Sequence, residues 1–186
     1  RVRSSAASDV YKRQSEFFFQ IAELKKLPRS GWKIKVGLEN SESVAEHSYM
    51  MSVMSMVLSD MKSLDSEKVL KMTILHDWAE SKIGDFMPEQ IGYDKKSELE
   101  NYAMSEILES LPQKIQDDYQ NIWDEFLSRE TPESKLVYEL DKLEMALQAK
   151  IYEKDVDPEK VKPFIISAVE QIIDPDVKKV LMDILK

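Results

Sequence analysis

The sequence contains no cysteine, and it has only two histidines and four glycines among its 186 residues. The absence of cysteine excludes a disulfide framework, a zinc–thiolate site and a thiol nucleophile. It is also typical of an intracellular protein, and we expect a cytoplasmic location. The four glycines, at positions 31, 37, 84 and 92, are separated by long stretches of helical periodicity.

Long apolar runs are also missing, since none approaches the roughly 18–20 residues of a membrane span. The polar start of the chain lacks the apolar region of a signal peptide, and we expect no membrane partner. The formal net charge of −9 disfavours binding to a nucleic acid polymer. A small anionic substrate is compatible with this charge, because a metal and a few cations can reverse the field inside a pocket.

The composition, 42% apolar and 33% charged, is that of an ordinary globular domain. We expect residues 15–186 to form a single domain with a sizeable core. Residues 1–14 differ from the rest, because Ser4–Gln14 can be encoded by a common transposase-based sequencing adapter. We interpret this segment as a non-native, adapter-derived tail, with a disordered basic tail as the alternative. The native N-terminus is then expected to be missing.

Helical spacing of apolar residues predicts an all-α fold. The first helix is expected from about Glu16 to Leu27, followed by a loop over Arg29–Asn40. Ser43 and Glu46 form a capping box that predicts the start of the second helix. Further helices are predicted over residues 66–83, 95–111, 113–129 and 131–153, and two more are expected to open at Pro158 and Pro175.

Residues capable of chemistry cluster around His76. Asp77 follows it directly, Glu80 lies one helical turn later on the same side, and Asp85 follows the glycine that ends this helix. The second histidine, His47, lies in the first turn of its helix and belongs to the apolar face. Taken by itself, a histidine on an apolar face is more often a hydrogen-bonded core residue than a metal ligand.

Asp141 lies among Leu140, Leu143 and Ala146 on an apolar helix face. A carboxylate in that position is costly unless it is paired or bound to a metal. Its alternative partner is a lysine such as Lys142 or Lys135. Two imidazoles and two carboxylates suit one divalent ion, and Mn²⁺, Co²⁺, Mg²⁺, Fe²⁺ and Zn²⁺ all fit this donor set.

Taken together, these runs resemble the 5′-deoxynucleotidases of the HD-domain superfamily, in the HDDC2-like and YfbR-like branch. The matching runs are ESVAEHS at Glu42–Ser48, HDWAE at His76–Glu80 leading into Gly84-Asp85, DKLE at Asp141–Glu144 with Gln148-Ala149, LPRSGW at Leu27–Trp32, and Lys96. The resemblance covers about residues 17–155 and implies an HD-domain helical bundle. No motif matches after Glu153.

The resemblance also implies roles for individual residues. One divalent ion would be held by His47, His76, Asp77 and Asp141. Glu80 would act as general acid or base, and Asp85, also placed in the catalytic set, would contact the sugar 3′-hydroxyl. Trp32 would crowd the 2′ side of the sugar, while Arg29 and Lys96 would bind the phosphate.

Each role has a simpler alternative: Glu80 could pair with a lysine, Asp85 could cap a turn, Trp32 could anchor a loop, and Arg29 and Lys96 could be surface charges. The implied reaction is hydrolysis of a deoxyribonucleoside 5′-monophosphate by a homodimer. Two other functions are left open. One is hydrolysis of another small phosphate ester, such as a nucleoside triphosphate or an alarmone. The other is a non-catalytic HD domain that senses metal or nucleotide.

Overall fold

The computed structural model describes the backbone of residues 2–186 and the side chains of residues 11–186. Over this part of the chain the regular structure is helical, and the one extended pairing is an isolated antiparallel bridge between Pro28 and Ser43. The helices are α1 (Val2–Ala22), α2 (Val44–Met61), α3 (Ser66–Leu75), α4 (Glu80–Ile83), α5 (Pro88–Ile91), α6 (Tyr93–Leu108), α7 (Gln113–Ser128), α8 (Pro132–Tyr152), α9 (Pro158–Gln171) and α10 (Pro175–Ile184). The predicted all-α class is confirmed. None of these described helices is both long enough and apolar enough to cross a membrane.

Helices α2, α8, α9 and α10 begin at side chains that cap them. The Ser43 side chain accepts the Glu46 N–H, and the Glu46 carboxylate accepts the Ser43 N–H at 2.7 Å, so the predicted capping box opens α2. The hydroxyl of Thr131 caps α8 by accepting the N–H of Ser134. Asp157 and Asp174 cap α9 and α10, and a proline follows each of them. These caps satisfy N–H groups that a helix leaves without partners at its start.

The segment before α2 departs from its prediction. Helix α1 ends at Ala22, earlier than the predicted Leu27, and a 3₁₀ turn covers Glu23–Lys25. The predicted loop contains a π-helical turn at Trp32–Val36, which ends at Gly37 with a φ of 83°. Trp32 and Val36 are both buried, so burial of these two side chains stabilises the turn. A turn of five residues is too short to show periodicity in the sequence.

The predicted helix over residues 66–83 is interrupted, which corrects the sequence reading. Helix α3 ends at Leu75 and α4 begins at Glu80, with a tight turn between them. In this turn the N–H of Trp78 bonds to the Leu75 carbonyl, and the N–H of Glu80 bonds to the Asp77 carbonyl. The ring of His76 contacts the Thr73 carbonyl, at 2.6 Å from Nδ1. That carbonyl would pair with the next turn of a continuing helix, so the side chain competes with the backbone.

Helix α8 is central, since it packs against α2, α3, α7, α9 and α10. Its buried residues Leu136, Val137, Leu140 and Leu143 join side chains from α2, α3, α9 and α10 in the main core. A second apolar cluster surrounds Trp78 and Trp123, and a third surrounds Trp32 and Phe164. The three clusters hold α2, α8 and the turn after α3 against one another.

The interpretation of residues 1–14 as a non-native tail falls partly outside the described residues. Arg1 is not described, and only the backbone is described for residues 2–10. That backbone is helical and continuous with the rest of α1. Helicity does not distinguish a native segment from a foreign one, so this interpretation stays a prediction.

Candidate functional site

The four predicted metal ligands come from three parts of the fold and meet at one point. His47 lies in the first turn of α2, His76 and Asp77 lie in the turn between α3 and α4, and Asp141 lies in the middle of α8. His47 Nε2 is 3.3 Å from Asp141 Oδ1 and 3.8 Å from Asp77 Oδ2. His76 Nε2 is 3.1 Å from the same Asp77 oxygen. Ligand atoms of His47, His76 and Asp77 all lie within 4.8 Å of one another.

Three atoms at this point are buried without a hydrogen-bond partner among the described residues: His47 Nε2, His76 Nε2 and Asp77 Oδ2. Leaving a buried polar atom unpaired costs about 1–3 kcal/mol. Two imidazole nitrogens with two carboxylates form a donor set that a divalent cation satisfies. The residues present therefore fit a metal ion.

In each imidazole, the nitrogen that points away from the cluster, Nδ1, forms a hydrogen bond. His76 Nδ1 donates to the Thr73 carbonyl at 2.6 Å, which leaves Nε2 with its lone pair toward the cluster. His47 Nδ1 lies 2.6 Å from the carboxylate of Glu144, a residue that is only 1% exposed. Glu144 is not among the predicted site residues. Its only signal in the sequence is its place in the DKLE run.

Burial opposes charge at this cluster, yet neighbouring residues keep the two carboxylates ionised. His76 and Arg29 lower the pKa of Asp77 in spite of burial. Lys142 and His47 hold the pKa of Asp141 well below its usual range against the same effect. For His47, burial and Arg29 favour the neutral ring, but Asp141 and Glu144 outweigh them and raise its pKa to about 9. The two carboxylates therefore stay ionised, which is the form in which they can bind a cation.

Arg29 lies beside the cluster rather than on the surface. Its guanidinium is 3.6 Å from Asp77 and 3.6 Å from Asp141, and its side chain is 17% exposed. Burial opposes its charge, but these two carboxylates raise its pKa further above its usual range. Arg29 is therefore a permanent cation next to the predicted ligands.

Glu80 and Lys96 form an ion pair beside the cluster. Lys96 Nζ lies 3.6 Å from Glu80 Oε1, donates to the Phe86 carbonyl at 2.7 Å, and lies 3.0 Å from Glu100. Glu80 is 4% exposed, and its Oε2 has no hydrogen-bond partner among the described residues. Burial, reinforced by Asp77, raises the pKa of Glu80 well above its ordinary value. A buried carboxyl with a raised pKa is suited to hold and release a proton.

Asp85 follows Gly84, whose φ of 87° lets the chain turn at the end of α4. The Asp85 carboxylate accepts the N–H of Ser30 at 2.6 Å, and the Ser30 hydroxyl donates to the Asp85 carbonyl at 2.5 Å. This double contact fixes Asp85 against the segment that carries Arg29. The turn-capping alternative and a substrate contact are both compatible with this arrangement, because one carboxylate oxygen is left for a ligand.

Trp32 is 2% exposed, and most of its ring packs into the third apolar cluster. The Phe164 ring lies 4.2 Å from it between centroids, and its indole N–H donates to Glu42 at 2.8 Å. Trp32 is therefore a structural anchor, as its simpler interpretation expects. It also lines the cavity in front of the predicted metal ligands.

These residues face one cavity of about 600 Å³. Every predicted site residue except the fully buried His47 lines it. One wall was not predicted, and it is formed by Arg129 at the end of α7, Tyr138 and Lys142 of α8, and Phe164 and Gln171 of α9. Arg129 lies 3.9 Å above the Tyr138 ring, and Lys142 Nζ lies 2.7 Å from Asp141. The sequence offers no motif for this wall, because long-range packing alone brings α9 to it.

Comparisons with known proteins agree with this geometry. The sequence profile of the family described as HD domain matches residues 21–180. The 5′-deoxynucleotidase HDDC2 of Danio rerio is 34% identical over 164 residues, covering 87% of this chain and 81% of that protein. The protein of the same name from Dictyostelium discoideum is 40% identical over 147 residues, covering 75% and 77%. The solved structure of a conserved hypothetical protein from Pyrococcus furiosus matches with a TM-score of 0.76 and 29% identity, covering 91% of this chain and 98% of that one.

The profile match spans most of the chain, and both named relatives match it over more than three quarters of their own length. The matched region contains both histidines and both aspartates that meet at the candidate site. The chain belongs to the HD-domain family, in the branch of the 5′-deoxynucleotidase HDDC2 proteins.

Proposed function

We propose that this chain, a hydrolase of the metal-dependent HD-domain family, converts deoxyribonucleoside 5′-monophosphates to deoxynucleosides and phosphate. The observation that carries the proposal is the set of unpaired, buried ligand atoms of His47, His76 and Asp77 beside a cavity that also contains Arg29 and Glu80. The named activity of the relatives supports the choice of substrate.

His47, His76, Asp77 and Asp141 would hold one divalent ion. Such an ion lowers the pKa of a bound water and offsets the negative charge of a phosphate. The donor set suits Mn²⁺, Co²⁺, Mg²⁺, Fe²⁺ and Zn²⁺, and the proposal leaves this choice to experiment.

Arg29 and Lys96 are proposed to bind the phosphate. The guanidinium of Arg29 faces Asp77 and Asp141, and a planar guanidinium is suited to two phosphate oxygens at once. Lys96 approaches from α6 and keeps its ammonium beside Glu80. The two cations flank the predicted metal ligands, so a phosphate placed there meets positive charge from both sides.

Glu80 is proposed to move the proton. Hydrolysis forms a bond between phosphorus and a water oxygen and breaks the bond between phosphorus and the 5′ oxygen. The water loses one proton and the 5′ oxygen gains one, and the buried Oε2 of Glu80 is available for either transfer. Its raised pKa suits a group that must alternate between the acid and the carboxylate.

Asp85 and Trp32 are proposed to select the sugar. The Asp85 carboxylate, fixed by Ser30, would accept the 3′-hydroxyl. The Trp32 ring cannot move aside easily, because Phe164 packs against it and Glu42 holds its N–H. A rigid wall at the 2′ position would disfavour the extra hydroxyl of a ribonucleotide.

The test is phosphate release by metal-stripped protein after Mn²⁺, Co²⁺, Mg²⁺, Fe²⁺ or Zn²⁺ is added, with paired deoxyribo- and ribonucleoside 5′-monophosphates. We expect metal-dependent release that favours the deoxy substrates and is lost in Asp77→Ala. Release from a nucleoside triphosphate or an alarmone, but not from the monophosphates, would move the assignment to another phosphate ester. Metal binding without release of phosphate from any substrate would favour a non-catalytic HD domain that senses metal or nucleotide.

We also propose a homodimer in which α2 contacts a second copy. Five apolar side chains of α2 are exposed along one stripe: Tyr49, Val53, Met56, Val57 and Met61. Such a stripe can pair with itself across a two-fold axis. Val57→Glu should yield a monomer in light scattering, while Ile173→Glu, at an exposed apolar residue outside this stripe, should not. A cytoplasmic location is still a prediction from the sequence, to be tested by cell fractionation.

A further inference from the structure

Glu144 is a buried carboxylate that the proposed reaction does not use directly. It lies three residues after Asp141 on α8, is 1% exposed, and does not line the cavity. Its single side-chain hydrogen bond among the described residues joins Oε2 to His47 Nδ1 at 2.6 Å. A buried carboxylate with one partner needs a reason, because burial of a charge is costly unless that partner compensates it.

The partner is a predicted metal ligand, and the contact is on the side of the ring away from the cavity. A carboxylate accepts hydrogen bonds, so the ring nitrogen that faces Glu144 carries the proton. With an ion bound, the other nitrogen, Nε2, would present its lone pair on the side of Asp77 and Asp141, where the ion would lie. His76 is held in the same way by the Thr73 carbonyl, but His47 has a carboxylate as its acceptor.

We propose that Glu144 is the positioning residue of the metal site: it fixes the tautomer and orientation of His47 and thereby sets the affinity for the ion. The inference rests on the metal site of the proposed function, but not on the identity of the substrate. Carboxylates that orient metal-binding histidines in this way typically change metal affinity about 10- to 100-fold.

The spacing of Asp141 and Glu144 along α8 explains how one helix can both supply a metal ligand and orient His47. Residues three apart lie on adjoining positions of one helix side. Asp141 therefore reaches the cavity side of the His47 ring at Nε2, while Glu144 reaches the opposite side at Nδ1. Helix α8 supplies a ligand and also the support of another ligand.

A second metal site behind His47 is the competing explanation, because ligand atoms of Glu42, His47 and Glu144 lie within 4.8 Å of one another. The separation of 2.6 Å between His47 Nδ1 and Glu144 is a hydrogen-bond length. Two ligands of one ion, each bound at about 2.0–2.2 Å and at right angles, lie about 3 Å apart. Glu42 also already accepts the Trp32 N–H. The geometry favours support of the ring over a second ion.

The experiment measures Mn²⁺ affinity of metal-stripped protein by calorimetry, without substrate. Glu144→Gln removes the charge but keeps an acceptor, and we expect about tenfold weaker binding; Glu144→Leu removes both, and we expect about 100-fold weaker binding. The matched control is Glu139→Gln on the same helix. Glu139 is 5% exposed, accepts the N–H groups of Ile173 and Asp174, and does not line the cavity. The Mn²⁺ affinity of Glu139→Gln should therefore stay at the wild-type value.

If Glu144 has only a structural role, its substitution should give a different result. It would lower the melting temperature of the metal-free variant and leave Mn²⁺ affinity unchanged, which would overturn the proposal. The positioning role instead predicts that the rise in melting temperature on adding Mn²⁺ shrinks in Glu144→Gln and persists in Glu139→Gln. If the Glu144→Gln variant hydrolyses the substrate, its activity should recover when the Mn²⁺ concentration is raised.

One measurement needs no variant. In Zn²⁺-loaded wild-type protein with ¹⁵N-labelled histidine, NMR should show the His47 proton on Nδ1 and the metal on Nε2. A metal on Nδ1, or a wild-type protein that binds no ion, would refute the inference. Wild-type protein that binds the ion with this tautomer but hydrolyses no monophosphate would refute only the proposed substrate.

Discussion

The Nη2 atom of Arg29 lies 3.6 Å from Oδ1 of Asp141, at the carboxylate that the proposed ion would share. Arg29 therefore balances the buried negative charge of the site when no ion is bound. Removing one partner of a buried pair costs about 3–5 kcal/mol. We expect Arg29→Ala to destabilise metal-free protein by about 3 kcal/mol and Mn²⁺-saturated protein by clearly less.

The same substitution should lower kcat/KM by about 100-fold, since it removes a donor to the phosphate. Arg29→Lys keeps the charge without the planar fork, and it should retain most of the stability and part of the activity. Denaturant unfolding with and without Mn²⁺ checks the first expectation, and steady-state kinetics check the second. Equal destabilisation in both metal states would show that Arg29 does not share its carboxylates with an ion.

Glu80 offers a test of chemistry separated from metal binding. Glu80→Gln keeps the size and burial of the side chain but cannot exchange a proton. We expect kcat to fall by about 10²- to 10⁴-fold, with Mn²⁺ affinity little changed. The control is Glu106→Gln, which removes a surface carboxylate paired with Lys82. Normal turnover in Glu80→Gln would assign the proton transfer to another group.

Local signals in the sequence predicted much of the fold, because capping and proline placement act within a few residues. Ser43 with Glu46, Thr131, and the prolines at 158 and 175 all begin helices as expected. The break after Leu75 was missed, since it depends on a side-chain bond from His76 to the Thr73 carbonyl, which leaves the apolar periodicity intact.

Less of the candidate site than of the fold could be predicted from the sequence. Residue type and helix position made His47, His76, Asp77 and Asp141 candidates, and the family resemblance joined them into one predicted metal site. The cavity wall with Tyr138, Phe164 and Gln171 could not be identified, because it depends on how α9 packs against α8. The same holds for Glu144, whose partner is 97 residues away.

Trp32 combines a structural role with the proposed selection of the sugar, so its test must separate the two. Trp32→Phe keeps an aromatic ring but loses the N–H that Glu42 accepts. We expect a loss of about 1–2 kcal/mol in stability, and a fall of about tenfold in the deoxy-to-ribo ratio of kcat/KM, because a smaller ring leaves room for a 2′-hydroxyl. Trp123→Phe is the control, since that buried indole donates to Asn101 in the same way. An equal fall in the deoxy-to-ribo ratio of kcat/KM in both variants would show that the effect is not specific to Trp32.

The prediction that residues 1–14 are foreign leads to a deletion experiment. The described side chains at its end make few contacts: Tyr11 is 71% exposed, and Lys12 forms an exposed ion pair with Glu16 at 3.8 Å. Among the described side chains of α1, those from residue 11 onward, the first buried one is Phe17, which lies 5.1 Å from the Trp78 ring between centroids, next to the turn that carries the predicted ligands. The boundary at Ser15 therefore precedes the first buried side chain in the part of α1 whose side chains are described.

A chain that begins at Ser15 should keep its stability within about 0.5 kcal/mol, as well as its activity. A chain that begins at Phe18 loses the Phe17 ring, and burial of such a side chain contributes about 1.5–3 kcal/mol, so this second deletion should lower stability by that amount. Denaturant unfolding of the two chains beside the full-length protein distinguishes the cases. A large loss already at the Ser15 boundary would mean that residues 1–14 belong to the folded domain, because only contacts made by those residues separate the shorter chain from the full one.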